Sequence, residues 1–480
     1  MMNNFYVNIH CHPTMKPFGK SFSNNKVNNA NRKKKDSIWY YNPPTLFDKL
    51  ANYLISVTKF AQSDFSSSAY GDVRVMCVSL YPLEKSFCVN RLGTGLPSDL
   101  PMDFVLEMGR ERINHIQAST NADYFQDLKD EYEFLKQLHN RPITLTDGRA
   151  YKYVLVKNYT ELQAALNNQF PTNQPKANPP VETIAVMITF EGAHAFGCGI
   201  DAITDETKLF ANIQAVKNWE HRPFFITFAH HFYNQLCGHA KSLEGFVSNL
   251  LDQSEHLGTP FTPLGLKVAD ALLDNTHGKR ILIDIKHMSE EARNQYFALL
   301  DSRYPGEKIP IVVSHGCVRG NESDKHQFYD HNINFSDEEI LRLAMSDGLF
   351  GVQLDERRIG SPSALQQARG HLKRTKILYH WSALVWNQIR HIAELLDSNG
   401  LFAWGNICLG TDFDGIIDPI NGYWTHEDMP DLETYLLMHA HNYMTASNAL
   451  TLSKNKIHEE EIVSRFMTTN ALDFFSKHFV

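Results

Sequence analysis

The 480-residue sequence predicts one (β/α)8 TIM barrel, with long insertions after strands one and two and C-terminal helices packed outside. Three observations lead there. Short, continuously apolar runs alternate with segments of helical period. That alternation repeats along the whole chain. Ionisable residues collect at the C-terminal end of nearly every run, the end where a barrel builds its active site. Runs of this length suit strands buried on both faces of a parallel sheet. An open doubly wound sheet is the alternative fold.

In chain order the strands are expected at Phe5–His12, Val73–Pro82, Thr183–Gly192, Phe224–His231, Ile281–Met288, Ile309–Gly316, Gly348–Asp355 and Asn406–Gly415. Helix-like connections include Asp103–Leu138 and Ser289–Leu300. Segment Pro13–Pro44, after strand one, is rich in Asn and Lys and reads as a loop or partly disordered. Segment Leu83–Pro180, after strand two, holds a charged helical stretch, the apolar run Tyr151–Lys157 and a helix near Thr160–Asn168. It reads as an excursion within a single domain, 1–480, because the barrel needs both flanks to close. Leu432–Phe479 has helical period and is expected outside the barrel.

Hydrophobic residues make up 43% and charged residues 21% of the chain, enough for a sizeable core without a disulfide or structural metal. The formal net charge of -8 argues against general affinity for nucleic-acid phosphates. The run Arg32-Lys33-Lys34-Lys35 reads as a solvated loop. Cysteines at 11, 77, 88, 198, 237, 317 and 408 form no Cys-x-x-Cys pair, so neither a zinc knuckle nor a disulfide framework is indicated. Met1–His10 has no signal-peptide pattern, and no apolar stretch approaches the roughly 20 residues of a bilayer span. The expectation is a cytoplasmic protein with a small-molecule substrate and no nucleic-acid or membrane partner. A homodimer is left open.

His10 and His12 share one face of a strand, since side chains alternate with period two, and both could reach one ion at about 2.0–2.1 Å. Alone the pair is a weak motif. Its company gives it weight: Glu191 ends strand three and could bridge two ions, while His287 and His315 end strands five and six. Two divalent ions about 3.5–4 Å apart would share a hydroxide and polarise a carbonyl. Zinc is the expected metal, with manganese, iron and cobalt also compatible with these ligands. Asp412, in Gly410-Thr411-Asp412-Phe413-Asp414-Gly415, is the candidate acid/base, against the plainer reading of a turn rich in turn formers. Asp414 either shares its face or holds the loop. Of His230 and His231 only one can point inward from a strand, where an imidazole would steady an oxyanion. Asp284 either orients a histidine or is a buried hydrogen-bonding group. His194 is a supporting or a loop residue, and His221, His239, His277 and His426 read as structural or exposed.

These segments resemble the membrane dipeptidase family (renal dipeptidase-like metallopeptidases, peptidase family M19) of the amidohydrolase superfamily. The resemblance lies in Phe190-Glu191-Gly192-Ala193-His194, in Leu282–Ser289, in Ser314-His315, in Gly410–Gly415, in Thr262–Leu266 and in Asn470-Ala471-Leu472. It implies a two-zinc dipeptidase, often tolerant of a D-residue at the C-terminal position. It also implies His10 and His12 on the first metal, Glu191 bridging, and His287 and His315 on the second. Asp412 would then be the acid/base, and His230 would touch the substrate carbonyl. Two departures stand out. The family begins with His-x-Asp, whereas this chain has His-x-His. The family also places a carboxylate-gripping arginine after strand six, where Gly316–Phe335 offers only Arg319, nearer His315, and Lys325. The signal peptide and lipid-anchor signal of animal members are not seen.

Dipeptide hydrolysis is the leading reading. An amidohydrolase acting on another small amide, lactone or ester is the second, and a non-catalytic barrel that binds metal or a partner is the third. Pro13–Pro44 leaves the first strand on the active-site face, so it is expected to cover the site, with Lys16 or Lys20 meeting a substrate carboxylate.

Overall fold

The computed structural model of the chain describes residues 5–480 apart from 57, 179, 322 and 447–449. Its strands are β1 (Tyr6–Cys11), β2 (Val73–Leu80), β3 (Ile143–Thr144), β4 (Ala150–Leu155), β5 (Glu182–Glu191), β6 (Phe225–Thr227), β7 (Leu282–Asp284), β8 (Val312–Gly316), β9 (Leu349–Val352) and β10 (Ile407–Leu409). The sheet path runs β1-β2-β5-β6-β7-β8-β9-β10, with every neighbouring pair parallel. A bridge between Cys11 and Phe413 brings its ends together. There the Asp412 amide donates to the His10 carbonyl at 3.0 Å, and the His12 amide to the Phe413 carbonyl at 2.9 Å. The result is a nearly closed eight-stranded parallel barrel, as the apolar runs predicted.

Double-sided burial explains why the strands are apolar throughout. Val75, Met76, Cys77 and Val78 of β2 alternate in direction yet are all fully buried. β6, β7 and β10 are shorter than their apolar runs. After Thr227, Asp284 and Leu409 the backbone leaves the ladder and carries the next residues into the mouth of the barrel.

The helices begin where side chains satisfy the free amides of a first turn. Ser289 caps Glu290–Arg303 through the Ala292 amide. Thr262 caps Pro263–Leu273 with proline at its first position. Ser336 and Glu339 form a reciprocal capping box at Asp337–Met345. At the base of the barrel, Asn470 donates to the carbonyls of Trp404 and Ile407, and Phe474 and Phe475 pack on Phe224. The C-terminal helices thus cover the barrel from outside.

The first insertion is more ordered than its composition predicted. Met15–Lys20 is helical. Beyond it, the Asn28 side chain donates to the Phe134 carbonyl and the Asn28 amide to Gln137. Phe18, Ile38 and Trp39 are buried, and the Trp39 ring lies 5.4 Å from that of Phe65. These few apolar anchors outweigh the Asn and Lys around them. Lys33, Lys34 and Lys35 stay exposed. In the second insertion, helices Leu96–Leu106, Arg110–Ala118, Tyr124–Lys136 and Tyr159–Leu166 surround a strand excursion. β4 pairs with the first half of β5, from Tyr151↔Glu182 to Leu155↔Val186, while β6 takes the last two residues of the same strand.

Candidate metal centre

At the C-terminal ends of the strands, imidazole nitrogens from three of them surround one carboxylate. His10 and His12, from β1, bring their Nε2 atoms within 3.1 Å of each other. His287, after β7, and His315, in β8, do the same at 3.2 Å. Glu191, the last residue of β5, stands between the pairs. Its Oε1 lies 3.5 Å from Nε2 of His10, His287 and His315, and its Oε2 lies 2.9 Å from His12. Asp412 comes within 3.5 Å of His10 and 3.6 Å of His12. All these side chains are buried.

Such spacing fits ligands that share a cation. Two nitrogens bound tetrahedrally at about 2.0–2.1 Å stand about 3.3–3.4 Å apart, close to the separations here. Without a cation, each pair fits a hydrogen bond in which one imidazole N–H donates to the other ring's nitrogen. Glu191 Oε1 is buried and accepts no hydrogen bond, although it faces three nitrogens. Two overlapping groups have the reach to hold a metal: His10, His12, Glu191 and Asp412, and Glu191, His230 and His287. The donor set of imidazole and carboxylate fits a pair of divalent ions.

The charges are arranged accordingly. Burial works against ionising Glu191, yet His230, His10 and His12 hold its carboxyl well below the usual range. Burial likewise opposes a charged His12, but Glu191 and Asp412 raise it to about 10. His287 is pushed down to about 3 by burial. His315 is held well below the usual imidazole range by burial and by His10. Asp412 stays ionised against its burial because His315, His10 and His12 face it.

Supporting groups fix these orientations. Asp284 accepts from the Ser314 hydroxyl at 2.5 Å and the Thr227 hydroxyl at 2.6 Å, and the Ser314 hydroxyl also meets His315 Nδ1 at 2.8 Å. It therefore acts on His315 through Ser314. Gln353 donates to Asp412 at 2.8 Å. Asn8 ties the first strand to the last: its Oδ1 accepts from the Thr411 amide at 3.0 Å, and its Nδ2 donates to the Thr411 hydroxyl and to His426, both at 2.8 Å. His287 and Asp412 sit at φ 65° and 61°, a left-handed backbone of the kind that concentrates at functional sites. Asp414 holds its loop by accepting from Ser63 and Gln62 and pairing with Lys16 at 3.0 Å.

Both His230 and His231 are buried, because β6 ends at Thr227 and strand alternation no longer governs them. His230 reaches Glu84 through Nδ1 at 2.9 Å and Glu191 through Nε2 at 3.4 Å. His231 meets Ser242 at 2.7 Å. Glu84, two residues beyond the second predicted strand, was not a sequence candidate, although a lone carboxylate at a strand end was its signal.

Arg319 and Lys325 are not brought to the centre. Arg319 pairs with Glu290 and Asp330 on the surface, and Lys325 is exposed. Their closeness to His315 in sequence misled, because the chain turns outward directly after β8. The cations that line the pocket beside Glu191 and Asp412 are instead Lys286, Arg357 and Arg358. Arg357 is held by Asp355 and Arg358 by Glu244. Lys286 is buried, with a single 3.4 Å contact to Gln353 and no carboxylate partner among the described residues. Lys16 lines a neighbouring cavity rather than this pocket, and Lys20 comes within 4.0 Å of Asp103.

Comparison with known proteins gives this arrangement a family. The model of the family described as membrane dipeptidase (peptidase family M19) matches residues 136–457. A comparison of the sequence with curated proteins gives no match. Among solved structures, the dipeptidase AC, a metallopeptidase of family M19, is 13% identical with a TM-score of 0.53, covering 99% of this chain and 98% of its own. A metallopeptidase from Rhodobacter sphaeroides, liganded with a phosphinate mimic of the dipeptide L-Ala-D-Ala, is also 13% identical, with a TM-score of 0.51 and 99% of both chains covered. These likenesses show the same fold. With a match over most of its length, the chain belongs to the membrane dipeptidase family, peptidase family M19, and is a metal-dependent hydrolase.

Proposed function

We propose that the protein hydrolyses the amide bond of a small substrate bearing a free carboxylate, dipeptides first among them, at a pair of divalent ions. The observation that carries this reading is the convergence of His10, His12, His287 and His315 on Glu191. His10 and His12 would hold one ion, His287 and His315 the other, with Glu191 between them. Zinc is the metal these ligands favour. When bound, such ions supply Lewis-acid polarisation of the scissile carbonyl and a more acidic water.

The chain's own groups then have distinct tasks. Asp412, oriented by Gln353, takes a proton from the attacking water and passes it to the leaving amine. His230, braced by Glu84, donates to the oxygen on which negative charge develops. Burial pushes the Lys286 ammonium down to about 8, so it remains charged at neutral pH and meets the substrate carboxylate in place of Arg319 and Lys325.

The second reading is an amidohydrolase with the same site acting on another small amide, lactone or ester. His12 at the usual aspartate position and the remoteness of Arg319 favour it. A panel of L,L and L,D dipeptides, N-acyl amino acids and lactones separates the two. Turnover of lactones alone would remove the amide claim.

A further inference from the structure

Directly over the metal-binding cluster the pocket leaves only about 30 Å³, the room of a water or two. Beside it lies a chamber of about 340 Å³, a volume in the range of ligand pockets. Arg357, Ile416 and Ile417 belong to the walls of both, so they form the threshold between them. Ile416 holds φ 64°, a conformation costly for a β-branched residue.

The chamber is built from segments outside the barrel frame. Met15 comes from the first insertion, Leu54 from helix Leu46–Ile55, Val105 from helix Leu96–Leu106 and Val247 from helix Gly245–Leu250. With Leu106, Ile416 and Ile417 they give the apolar half of the lining, and the other half is polar or charged. Its charged groups are already matched: Lys16 with Asp414, Glu244 with Arg358 and Arg357 with Asp355. No charged side chain of this lining is without an ion-pair partner among the described residues. An apolar group would enter without stranding a charge.

We infer that the site also takes N-acyl amino acids, whose apolar acyl group fills the apolar half of this chamber while the carboxylate meets Lys286. The inference rests on the amide-hydrolase reading of the metal centre, and it places the acyl side of the scissile bond beyond Ile416. Such compounds would be turned over alongside the dipeptides of the proposed function. Burial of acyl methylenes favours binding by about fourfold each.

The test uses N-acetyl-, N-butanoyl-, N-hexanoyl- and N-octanoyl-glycine with the zinc-loaded enzyme. The value of kcat/KM should climb at least tenfold along the series. Calorimetry on the metal-stripped protein supplies a second readout, in which the octanoyl compound should bind more tightly than the acetyl one, with a negative heat-capacity change. Val105→Trp and Val247→Trp narrow the chamber from different walls, and each should lower the octanoyl-to-acetyl ratio at least fivefold. Hydrolysis of every member at one rate would overturn the chamber assignment while leaving the hydrolase standing. Absence of any amide turnover would overturn the hydrolase, and calorimetry would then judge the chamber: equal affinities for the two compounds would reject it.

Discussion

Replacing Asn8 by alanine should damage the fold and the metal centre together. Asn8 is fully buried at the seam where the first strand meets the last. Its side chain serves the Thr411 amide, the Thr411 hydroxyl and His426 Nε2, and it accepts a longer contact from the His10 amide at 3.3 Å. Alanine strands at least the Thr411 amide and the His426 ring. At about 1–3 kcal/mol for each of these two buried groups left unpaired, the loss is about 2–6 kcal/mol. Thr411 precedes Asp412, and His10 lies two residues beyond Asn8, so the same change loosens both sides of the first ion site. Zinc affinity should fall about 10–100-fold, the scale for losing a group that orients a ligand. Urea unfolding of the metal-free protein and zinc competition with a chelator measure the two effects. Asn8→Asp keeps an acceptor for the Thr411 amide and should recover part of the loss. A cost under about 1 kcal/mol with unchanged zinc affinity would refute the seam as the element that registers the site.

Lys286→Met should raise KM about 10–100-fold for substrates with a free carboxylate and leave their amidated counterparts unaffected, the scale of one charge-assisted hydrogen bond. An equal effect on both would assign Lys286 a structural role. His12→Asp adds negative charge and a harder ligand, so competition titrations should show relative affinity moving from zinc toward manganese; an unchanged ratio counts against His12 as a ligand. In the metal-free protein, His12 and His230 are each raised to about 10, against burial, by Glu191 with Asp412 for the first and by Glu84 with Glu191 for the second. Their contribution to stability is therefore complete below about pH 6.5 and lost as pH rises through about 10, at up to about 1.4 kcal/mol per pH unit per group. A zinc ion held by His12 would displace its proton, so zinc binding should strengthen with pH across the same window. Denaturant melts of metal-free protein that gain stability from pH 6.5 to 9.5 would contradict the charge arrangement.

The barrel was legible in the sequence because strands buried on both faces must be apolar throughout, and each predicted run overlaps one of the eight barrel strands. The position of β4 was not. Tyr151–Lys157 reads as a strand, but only tertiary packing decides that it lies beside the first half of β5. His10, His12, Glu191, His287, His315 and Asp412 could be read from their strand ends, because barrel geometry gathers those ends. Lys286 escaped notice, since a lysine between Ile285 and His287 looks like a strand residue facing outward. It faces the pocket because the chain has left β7 after Asp284. Arg319 misled for the opposite reason: neighbours in sequence diverge in space once the backbone turns at the strand end.

The most direct measurement is the metal content of the purified chain, by native mass spectrometry and elemental analysis, alongside amide hydrolysis by the same sample. Two divalent ions per chain are expected, with hydrolysis lost on chelation and restored by zinc, and with Glu191→Ala losing both ions. Full hydrolytic activity in protein stripped of metal, or undiminished metal content in Glu191→Ala, would contradict a hydrolase built around that carboxylate.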